Sequence, residues 1–307
     1  MHSDNSPSPP CLLSFDVEEY FHIEAARSAV DRRSWPSYLT RVEPIVDWLL
    51  EQLAAHAATA TFFTLGWVAE RHPSMIRRIA DAGHEIACHG YGHDRLCRLD
   101  RRAFADDLSR AKHVLEQASG QRVIGYRAPT FSLVPATAWA VDVLIEQGFV
   151  YDSSVQPIRH PQYGVPGAPR WPYQLAGADG TRLVELPPLS WQIGSLRLPV
   201  AGGGYFRLFP LRFMLAGIRQ AHRAGQPAML YFHPWEFDPD QPRLPLTGVS
   251  RWRTYVGLSR TRRRLSHLLY PPPHDQRPPM ADPTEVRLVV IVCTNRQFPA
   301  SDRARRC

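Results

Sequence analysis

Short apolar, β-branched runs alternate with longer segments of helical spacing along most of the chain. Residues 11–17 predict a first strand, because such runs are typical of buried strands. Apolar residues then recur three or four positions apart, as expected of an amphipathic helix: Val42, Ile45, Val46, Leu49, Leu50 and Leu53. Further strands are predicted at residues 59–65, 84–88, 122–126, 149–153, 182–189 and 227–233. Helices are predicted between them near residues 67–82, 100–118, 135–147 and 210–224.

This alternation predicts an α/β fold with a parallel sheet and helical crossovers. Six or seven strands in about 225 residues fit a closed or nearly closed barrel. Two stretches depart from the pattern, residues 155–181 and 194–209. They are rich in proline and glycine, which predicts long loops over one mouth of the barrel.

The domain organisation follows from where the periodicity begins and ends. Residues 1–10 are polar and proline-rich, and residues 271–307 lack periodicity, so both are predicted to be disordered. Residues 11–270 are predicted to form one domain, with a helical extension at about residues 236–270.

Composition and charge add little to this picture. A chain of 307 residues with 44% hydrophobic residues can bury a sizeable core. The net charge of +7 comes from scattered arginines, with Lys112 as the only lysine, so we expect no nucleic-acid partner. A local basic run, Arg260–Arg264, lies on a predicted late helix. It could make weak peripheral contact with anionic lipid or an acidic glycan.

Cysteines and hydropathy bear on the compartment. The five cysteines are odd in number and have no CxxC spacing, which is not typical of a disulfide framework and indicates a reducing compartment. No stretch predicts a signal peptide or a membrane span. The sequence therefore predicts a cytoplasmic protein without a transmembrane segment, and leaves its oligomeric state open.

Ionisable residues gather where the predicted strands end. Asp16 and Glu18 close the first strand, and residues two apart in a strand point to the same face. His89 and His93 follow the third strand, and a helical backbone there would turn both rings to one side, as a metal site needs. Three later strands each end in one more such residue: Arg127, Asp152 and His233. Their shared position predicts a site at the carboxyl ends of the strands.

These motifs resemble a known family. The ordered set SFDVE, HGYGH, RAPTF, YDSS and LYFHP is similar to the polysaccharide deacetylases with a NodB homology domain, over roughly residues 11–235. The flanking stretches DVEEYFH, GGGYFR and HPWEFDPDQPRLP resemble the subgroup associated with exopolysaccharide and exosortase gene clusters, to about residue 270. The resemblance implies a deformed (β/α) barrel of about seven parallel strands that removes N-acetyl groups from the amino sugars of a glycan. It also implies a divalent metal, Zn²⁺ in the first place, with Co²⁺, Ni²⁺, Mn²⁺ or Fe²⁺ as alternatives.

The resemblance also implies a role for each matched residue. Asp16 matches the catalytic base, and His89 and His93 match the metal-binding histidines. Arg127 matches the arginine that tethers the base, and His233 matches the acid that protonates the leaving amine.

One position departs from the family pattern. Val17 stands where the family has the second of two adjacent aspartates, which is a metal ligand. Glu18 is the favoured replacement, because it shares a face with Asp16 and has a longer side chain. Glu19 points elsewhere and is expected to bond to loop backbone.

The remaining assignments concern the leaving group and the substrate. A cationic His233 needs a carboxylate partner, for which Asp152 is the candidate. A backbone N–H of the APTF turn, residues 128–131, could hold the oxyanion. The aromatic candidates for substrate contact are Phe131, Trp191 and Tyr205, although core or lid packing would explain the latter two equally well.

Two alternatives remain open at the level of the sequence. An allantoinase-like hydrolase of a small amide shares the barrel and the YDSS motif. A glycan-binding member of a polysaccharide assembly system that has lost catalysis is suggested by Val17.

Overall fold

The computed structural model describes residues 9–269. The two segments predicted to be disordered lie outside this range, apart from Pro9 and Pro10. The strands of the described part are β1 Cys11–Val17, β2 Thr61–Thr64, β3 Glu85–Cys88, β4 Gly125–Tyr126, β5 Tyr151–Asp152, β6 Tyr173–Ala176, β7 Arg182–Glu185, β8 Ser190–Ile193, β9 Leu196–Pro199 and β10 Ala228–Phe232. The α-helices are α1 Val42–Ala55, α2 Gly66–Arg71, α3 Pro73–Asp81, α4 Arg101–Ser119, α5 Ala140–Glu146, α6 Gly203–Leu208, α7 Leu211–Arg223, α8 Gly248–Tyr255 and α9 Leu258–Leu269.

The main sheet has eight strands in the order β10, β1, β2, β3, β4, β5, β7, β6. All neighbouring pairs are parallel except β6 with β7. The fold is therefore a deformed α/β barrel of seven parallel strands with one antiparallel strand at the edge, which confirms the predicted class. The aromatic core is continuous across its first strands. Phe15 of β1 contacts Phe62 of β2 and Phe232 of β10, with ring centroids 5.1 and 6.1 Å apart.

The chain between β7 and α6 brings the barrel close to closure. Pro188 and Gly202 form isolated parallel bridges to Met229 and Tyr231 of β10. The Leu189 N–H donates to the Met229 carbonyl at 2.9 Å. A Cβ at Gly202 would lie 1.5 Å from the carbonyl oxygen of Tyr231, so the glycine allows the backbone to approach this closely.

Two predicted features need correction. The single helix near residues 67–82 is two helices, α2 and α3, because Pro73 disfavours a helical backbone at the residue before it; His72 has φ −127° and ψ 51°. The predicted long loops contain β6, β9 and α6. β6 pairs with β7 and β9 with β8 as antiparallel hairpins of nearby residues, and the proline- and glycine-rich composition of these stretches did not indicate them.

Helix α4 follows its predicted limits. The Asp100 carboxylate accepts a hydrogen bond from the Ala103 N–H at 2.8 Å, and Gly120 closes the helix with φ 72°. Within residues 9–269, no helix has both the length and the apolar character needed to cross a membrane. The basic run Arg260–Arg264 lies on α9, where Arg262 donates to the Phe237 carbonyl at 2.8 Å.

Candidate metal and catalytic site

Three buried side chains meet at the carboxyl ends of the parallel strands. They are Glu18 after β1, and His89 and His93 after β3. One potential ligand atom from each lies within 4.8 Å of those of the other two. Two imidazoles and one carboxylate in this proximity suit a divalent metal such as zinc, which would keep open coordination positions.

The orientation of His89 supports this interpretation. Its Nδ1 lies 2.8 Å from the carbonyl oxygen of Arg127, so Nδ1 carries the proton and donates it. The Nε2 lone pair is then free to bind a metal, as in many metal sites where the second ring nitrogen bonds to a carbonyl. His93 follows a loop, and the helix considered for the HGYGH motif does not form. The loop brings both rings together through left-handed backbone at Gly90 and His93, with φ 75° and 55°, and the ring centroids lie 5.3 Å apart.

Glu18 stands where the missing aspartate would be needed. Its Oε2 lies 2.8 Å from Nε2 of His93, and its Oε1 accepts a hydrogen bond from the Trp235 indole N–H at 3.0 Å. Burial alone would raise the pKa of Glu18, but the charge and hydrogen bond of His93, with smaller contributions from His233 and His89, hold that pKa well below its ordinary value. Glu18 is therefore anionic at neutral pH, whereas Val17 points into the core and is fully buried.

Asp16 is held by a buried arginine. The Arg127 guanidinium donates to Oδ1 of Asp16 at 2.5 Å and to the Ser14 hydroxyl at 2.9 Å. Its other donors reach the carbonyl oxygen and the hydroxyl of Ser153 at 3.1 and 2.8 Å, and it stacks 4.0 Å above the Phe63 ring. With every nitrogen of Arg127 engaged, the carboxylate of Asp16 has a fixed direction.

His233 faces both acids. Its Nε2 lies 3.8 Å from Oδ2 of Asp16 and 3.9 Å from Oε1 of Glu18, and its Nδ1 lies 3.1 Å from Oε2 of Glu236. Burial lowers the pKa of His233. The hydrogen bond and charge of Glu236, with Glu18 and Asp16, outweigh it and raise the pKa to about 9. His233 is therefore cationic at neutral pH.

The predicted pairing of Asp152 with His233 is wrong. Asp152 accepts hydrogen bonds from the hydroxyl and the N–H of Ser154 at 2.5 and 3.1 Å, and it neighbours Glu185 of β7. Burial raises the pKa of Asp152. Asp152 and Glu185 form a separate buried pair, because β7 lies directly beside β5 in the sheet.

Glu236 was missed by the sequence analysis, although the HPWE stretch contained the signal. The 3₁₀ turn Pro234–Phe237 folds the side chain of Glu236 back onto the residue that precedes the turn. Its other oxygen accepts a hydrogen bond from Nε of Arg207 at 2.8 Å. Arg207 belongs to the GGGYFR stretch and was also not identified.

The structure separates the aromatic candidates. Phe131 lies in the turn after β4, and its ring centroid is 4.8 Å from that of Tyr231. Tyr205 on α6 forms a side-chain hydrogen bond with Tyr163. The Tyr163 ring in turn contacts the ring of Phe131. Trp191 on β8 packs against Phe213 of α7 with centroids 5.5 Å apart. It is the candidate for which packing is the observed role.

Glu19 has the structural role expected of it. Its carboxylate accepts hydrogen bonds from the backbone N–H groups of Arg41 and Val42, the shortest at 2.8 Å. These are the unpaired donors at the start of α1. Burial raises the pKa of Glu19 to about 7, although the same backbone bonds lower it.

Comparisons with known proteins agree with this geometry. Residues 38–147 match the family model described as polysaccharide deacetylase, and residues 153–277 match a domain of unknown function, DUF3473. A peptidoglycan deacetylase of Helicobacter pylori is 28% identical over 160 residues, which are 48% of this chain and 53% of that protein. A peptidoglycan deacetylase-like protein of Gibberella zeae is 34% identical over 99 residues, or 32% of this chain and 28% of that protein.

A solved structure adds a match over nearly the whole length. The crystal structure of a candidate polysaccharide deacetylase from Mycobacterium smegmatis is 25% identical, covers 90% of this chain and 97% of its own, and superposes with a TM-score of 0.56. The chain spans only about half or less of the two curated relatives. The family model, the relatives and the shared fold together support a polysaccharide deacetylase domain that includes residues 38–147.

Proposed function

We propose that the protein is a metal-dependent N-deacetylase that hydrolyses the acetamido group of an amino sugar in a polysaccharide or its precursor. The observation that carries this proposal is the proximity of Glu18, His89 and His93 to an arginine-held Asp16 and a cationic His233. Amide hydrolysis needs an activated water, a proton acceptor and a proton donor, and this arrangement supplies residues for each.

A divalent metal held by Glu18, His89 and His93 would act as a Lewis acid and make water more acidic near neutral pH. Asp16 accepts the proton of the attacking water through Oδ2, the oxygen that does not bond to Arg127. Arg127 orients Asp16, because its guanidinium donates to Oδ1 and leaves Oδ2 free to face the site. Asp16 is therefore assigned as the general base.

His233 donates its proton to the leaving amine. Glu236 keeps the imidazole charged and fixes its Nδ1 side, so that Nε2 faces the reacting group. The amides of Ala128, Phe131 and Ser132 donate to protein oxygens. The Thr130 N–H is the remaining amide of that turn, and we assign it to the oxyanion; one such donor is typically worth about 3 kcal/mol.

The substrate class follows from the relatives. Those above are named as peptidoglycan deacetylases, and others as chitooligosaccharide deacetylases; both are glycans that carry N-acetylated amino sugars. We assign this chain to exopolysaccharide biosynthesis and its metal to Zn²⁺ on the motif resemblance alone. The presence of Glu18 among the ligand atoms favours an active enzyme over a binding protein that has lost catalysis.

The test is acetate release from a panel of N-acetylated glycans, with metal analysis of the same sample. Allantoin serves as the control for a small cyclic amide. The proposal expects acetate from at least one amino-sugar oligomer and about one bound metal per chain. A metal-free protein with full activity, or hydrolysis of allantoin alone, would contradict it.

A further inference from the structure

A cavity of about 280 Å³ opens beside the candidate metal site. Its wall includes Phe21, His22, Arg27, Arg32, Trp35 and His93, and we call it the lateral cavity. Small-molecule sites usually measure roughly 300–1,000 Å³, so the lateral cavity suits one sugar ring or a substituent of it. His93 belongs both to the candidate metal site and to the wall of the lateral cavity. A group bound in the lateral cavity would therefore lie next to the reacting sugar.

The charged side chains of the cavity wall are two arginines, Arg27 and Arg32, and two acids, Glu24 and Asp31. Arg27 and Arg32 share one acid, Asp94, which lies 3.2 Å from Nη1 of Arg27 and forms a very short ion pair with Arg32. A guanidinium has five N–H donors, and each of these two arginines spends one nitrogen on Asp94. Their side chains remain 47% and 45% exposed. Donors are therefore left for a further anion.

At the rim of the lateral cavity, one acid again has two arginine partners. Glu24, which also lines the lateral cavity, lies 2.5 Å from Arg98 and 3.9 Å from Arg95. Asp31 has its own partner, Arg33, at 2.6 Å. Three carboxylates are thus paired with five guanidinium groups in and around the lateral cavity, which leaves two positive charges to attract an anion.

The metal-binding loop accommodates Arg32. A Cβ at Gly92, between the two metal-site histidines, would lie 1.3 Å from Nη2 of Arg32. The absence of a side chain at this position lets the guanidinium rest against the loop that carries His89 and His93. The Cζ of Arg32 also lies 5.2 Å from the ring centroid of Trp35, which holds it over the lateral cavity.

His22 adds an unpaired donor. The ring is 3% exposed, and its Nδ1 accepts a hydrogen bond from the Glu19 N–H at 3.1 Å. A neutral imidazole that accepts at Nδ1 carries its proton on Nε2. Among the described residues, Nε2 has no hydrogen-bond partner. A buried donor of this kind in the wall favours a ligand with acceptor oxygens.

The geometry points to a subsite for an acidic sugar: the lateral cavity binds the carboxylate of a sugar that adjoins the N-acetylated one. This inference rests on the proposed deacetylase function, whose substrate it specifies as an acidic glycan. Planar guanidinium groups pair with carboxylates through two parallel hydrogen bonds, and two half-exposed arginines on one wall supply them.

The experiment compares two forms of one substrate with metal-loaded protein. The first is an oligosaccharide of N-acetylglucosamine alternating with glucuronic acid, and the second is the same oligosaccharide after reduction of its carboxylates to alcohols. We expect a KM about tenfold lower for the acidic form, as one or two charge-assisted hydrogen bonds give. Arg27→Gln and Arg32→Gln should each bring the two KM values close together. Arg77→Gln, at an exposed arginine of α3 beside Gly120, should keep the preference.

A binding measurement separates this inference from the proposed function. Methyl glucuronide and methyl glucoside, titrated into the wild type and Arg27→Gln by NMR, report on the lateral cavity without turnover. Equal affinities for the two glycosides and equal KM values for the two oligosaccharides would overturn the acidic subsite. If neither oligosaccharide releases acetate but methyl glucuronide still binds more tightly than methyl glucoside, the proposed deacetylase function is contradicted and the acidic subsite is supported.

Discussion

At the scale of single residues, two acids two positions apart have different surroundings and therefore different tasks. Asp16 spends one oxygen on the guanidinium of Arg127, whereas Glu18 faces an imidazole nitrogen of His93 at 2.8 Å. The first arrangement orients a base, and the second places a carboxylate where a metal would bind. The distinction leads to a direct comparison of their variants.

Asp16→Asn keeps the shape of the side chain but cannot take up a proton. We expect bound metal to remain and turnover to fall by roughly 10² or more, the usual contribution of a general base. Glu18→Gln should lose metal affinity first, because a neutral amide is a weaker ligand, and excess zinc should restore part of its activity. Metal analysis and acetate release on both proteins check this; loss of metal from Asp16→Asn alone would reverse the two assignments.

The pH dependence of the catalytic activity should be set by His233 and its partner Glu236. His233 must be protonated to act as an acid, and its pKa is raised to about 9, so activity should persist at neutral pH and fall as the pH rises through that value. Glu236→Gln removes the charge that contributes to the raised pKa, so the alkaline fall should begin about one pH unit lower or more. A pH profile of kcat/KM measures the shift. An unchanged alkaline limb would show that Glu236 does not govern His233.

The sequence located most of these residues but not all of their partners. Asp16, Glu18, His89, Arg127 and His233 follow apolar runs, and parallel strands bring such positions to one edge. The partner of His233 depends on the turn that follows β10, which strand order does not determine. Asp152 was predicted as that partner because it ends a strand. In the structure β7 pairs with β5, and Asp152 lies opposite Glu185 instead.

At the scale of elements, closure of the barrel depends on backbone contact at β10. Gly202 approaches Tyr231 so closely that a methyl group would overlap its carbonyl oxygen. Residues 155–181 and 194–209 were predicted to be loops from their composition alone. β6 and β9 are strands of only four residues that pair with their sequence neighbours β7 and β8, and the surrounding prolines and glycines favoured loops instead.

Gly202→Ala should therefore destabilise the fold by about 3 kcal/mol or more, since overpacking against backbone cannot be relieved by a rotamer change. Gly204→Ala is the matched control: the nearest heavy atom to its new Cβ is 3.7 Å away, and alanine is favoured over glycine in a helix. Its stability should change by less than about 1 kcal/mol. Urea unfolding measures both variants, and equal stability would refute the role of Gly202 in closure.

Arg207 links the catalytic turn to the C-terminal helices. It bonds to Glu236 at 2.8 Å and donates to the carbonyls of Arg253, Thr254 and Val256 at 3.0, 2.8 and 3.0 Å. These bonds tie α8 to the residue that orients His233, and Arg264 of α9 donates to the Arg207 carbonyl at 2.9 Å. The matched DUF3473 segment includes both ends of this link.

Arg207→Met should lower the free energy of unfolding by about 3–5 kcal/mol, because the buried carboxylate of Glu236 would lose its guanidinium partner and three backbone carbonyls would lose their donor. Arg251→Met, at an exposed position of the same region, should change stability by less than about 0.5 kcal/mol. Adding Glu236→Met to Arg207→Met should recover part of the loss, since no buried carboxylate is then left without its guanidinium partner. A single Arg207→Met variant as stable as the wild type would contradict this account.

At the scale of the whole molecule, seven parallel strands bring residues from both matched segments to one mouth. His89, His93 and Arg127 lie in the segment matched to polysaccharide deacetylases, and Ser153, His233 and Glu236 lie in the DUF3473 segment. Asp16 and Glu18 precede both segments, so even the two segments together do not contain the complete candidate site. The fold could be predicted from alternating strands and helices, but the assembly of the site from three parts of the chain required the three-dimensional arrangement.

The most direct test of the account is acetate release by one preparation before chelation, after chelation and after zinc is added back, with bound metal determined at each step. We predict that activity on an N-acetylated amino-sugar oligomer disappears with the metal and returns with it, and that His89→Gln binds less metal and shows little recovery. Undiminished acetate release from the chelated, metal-free protein would contradict the central claim.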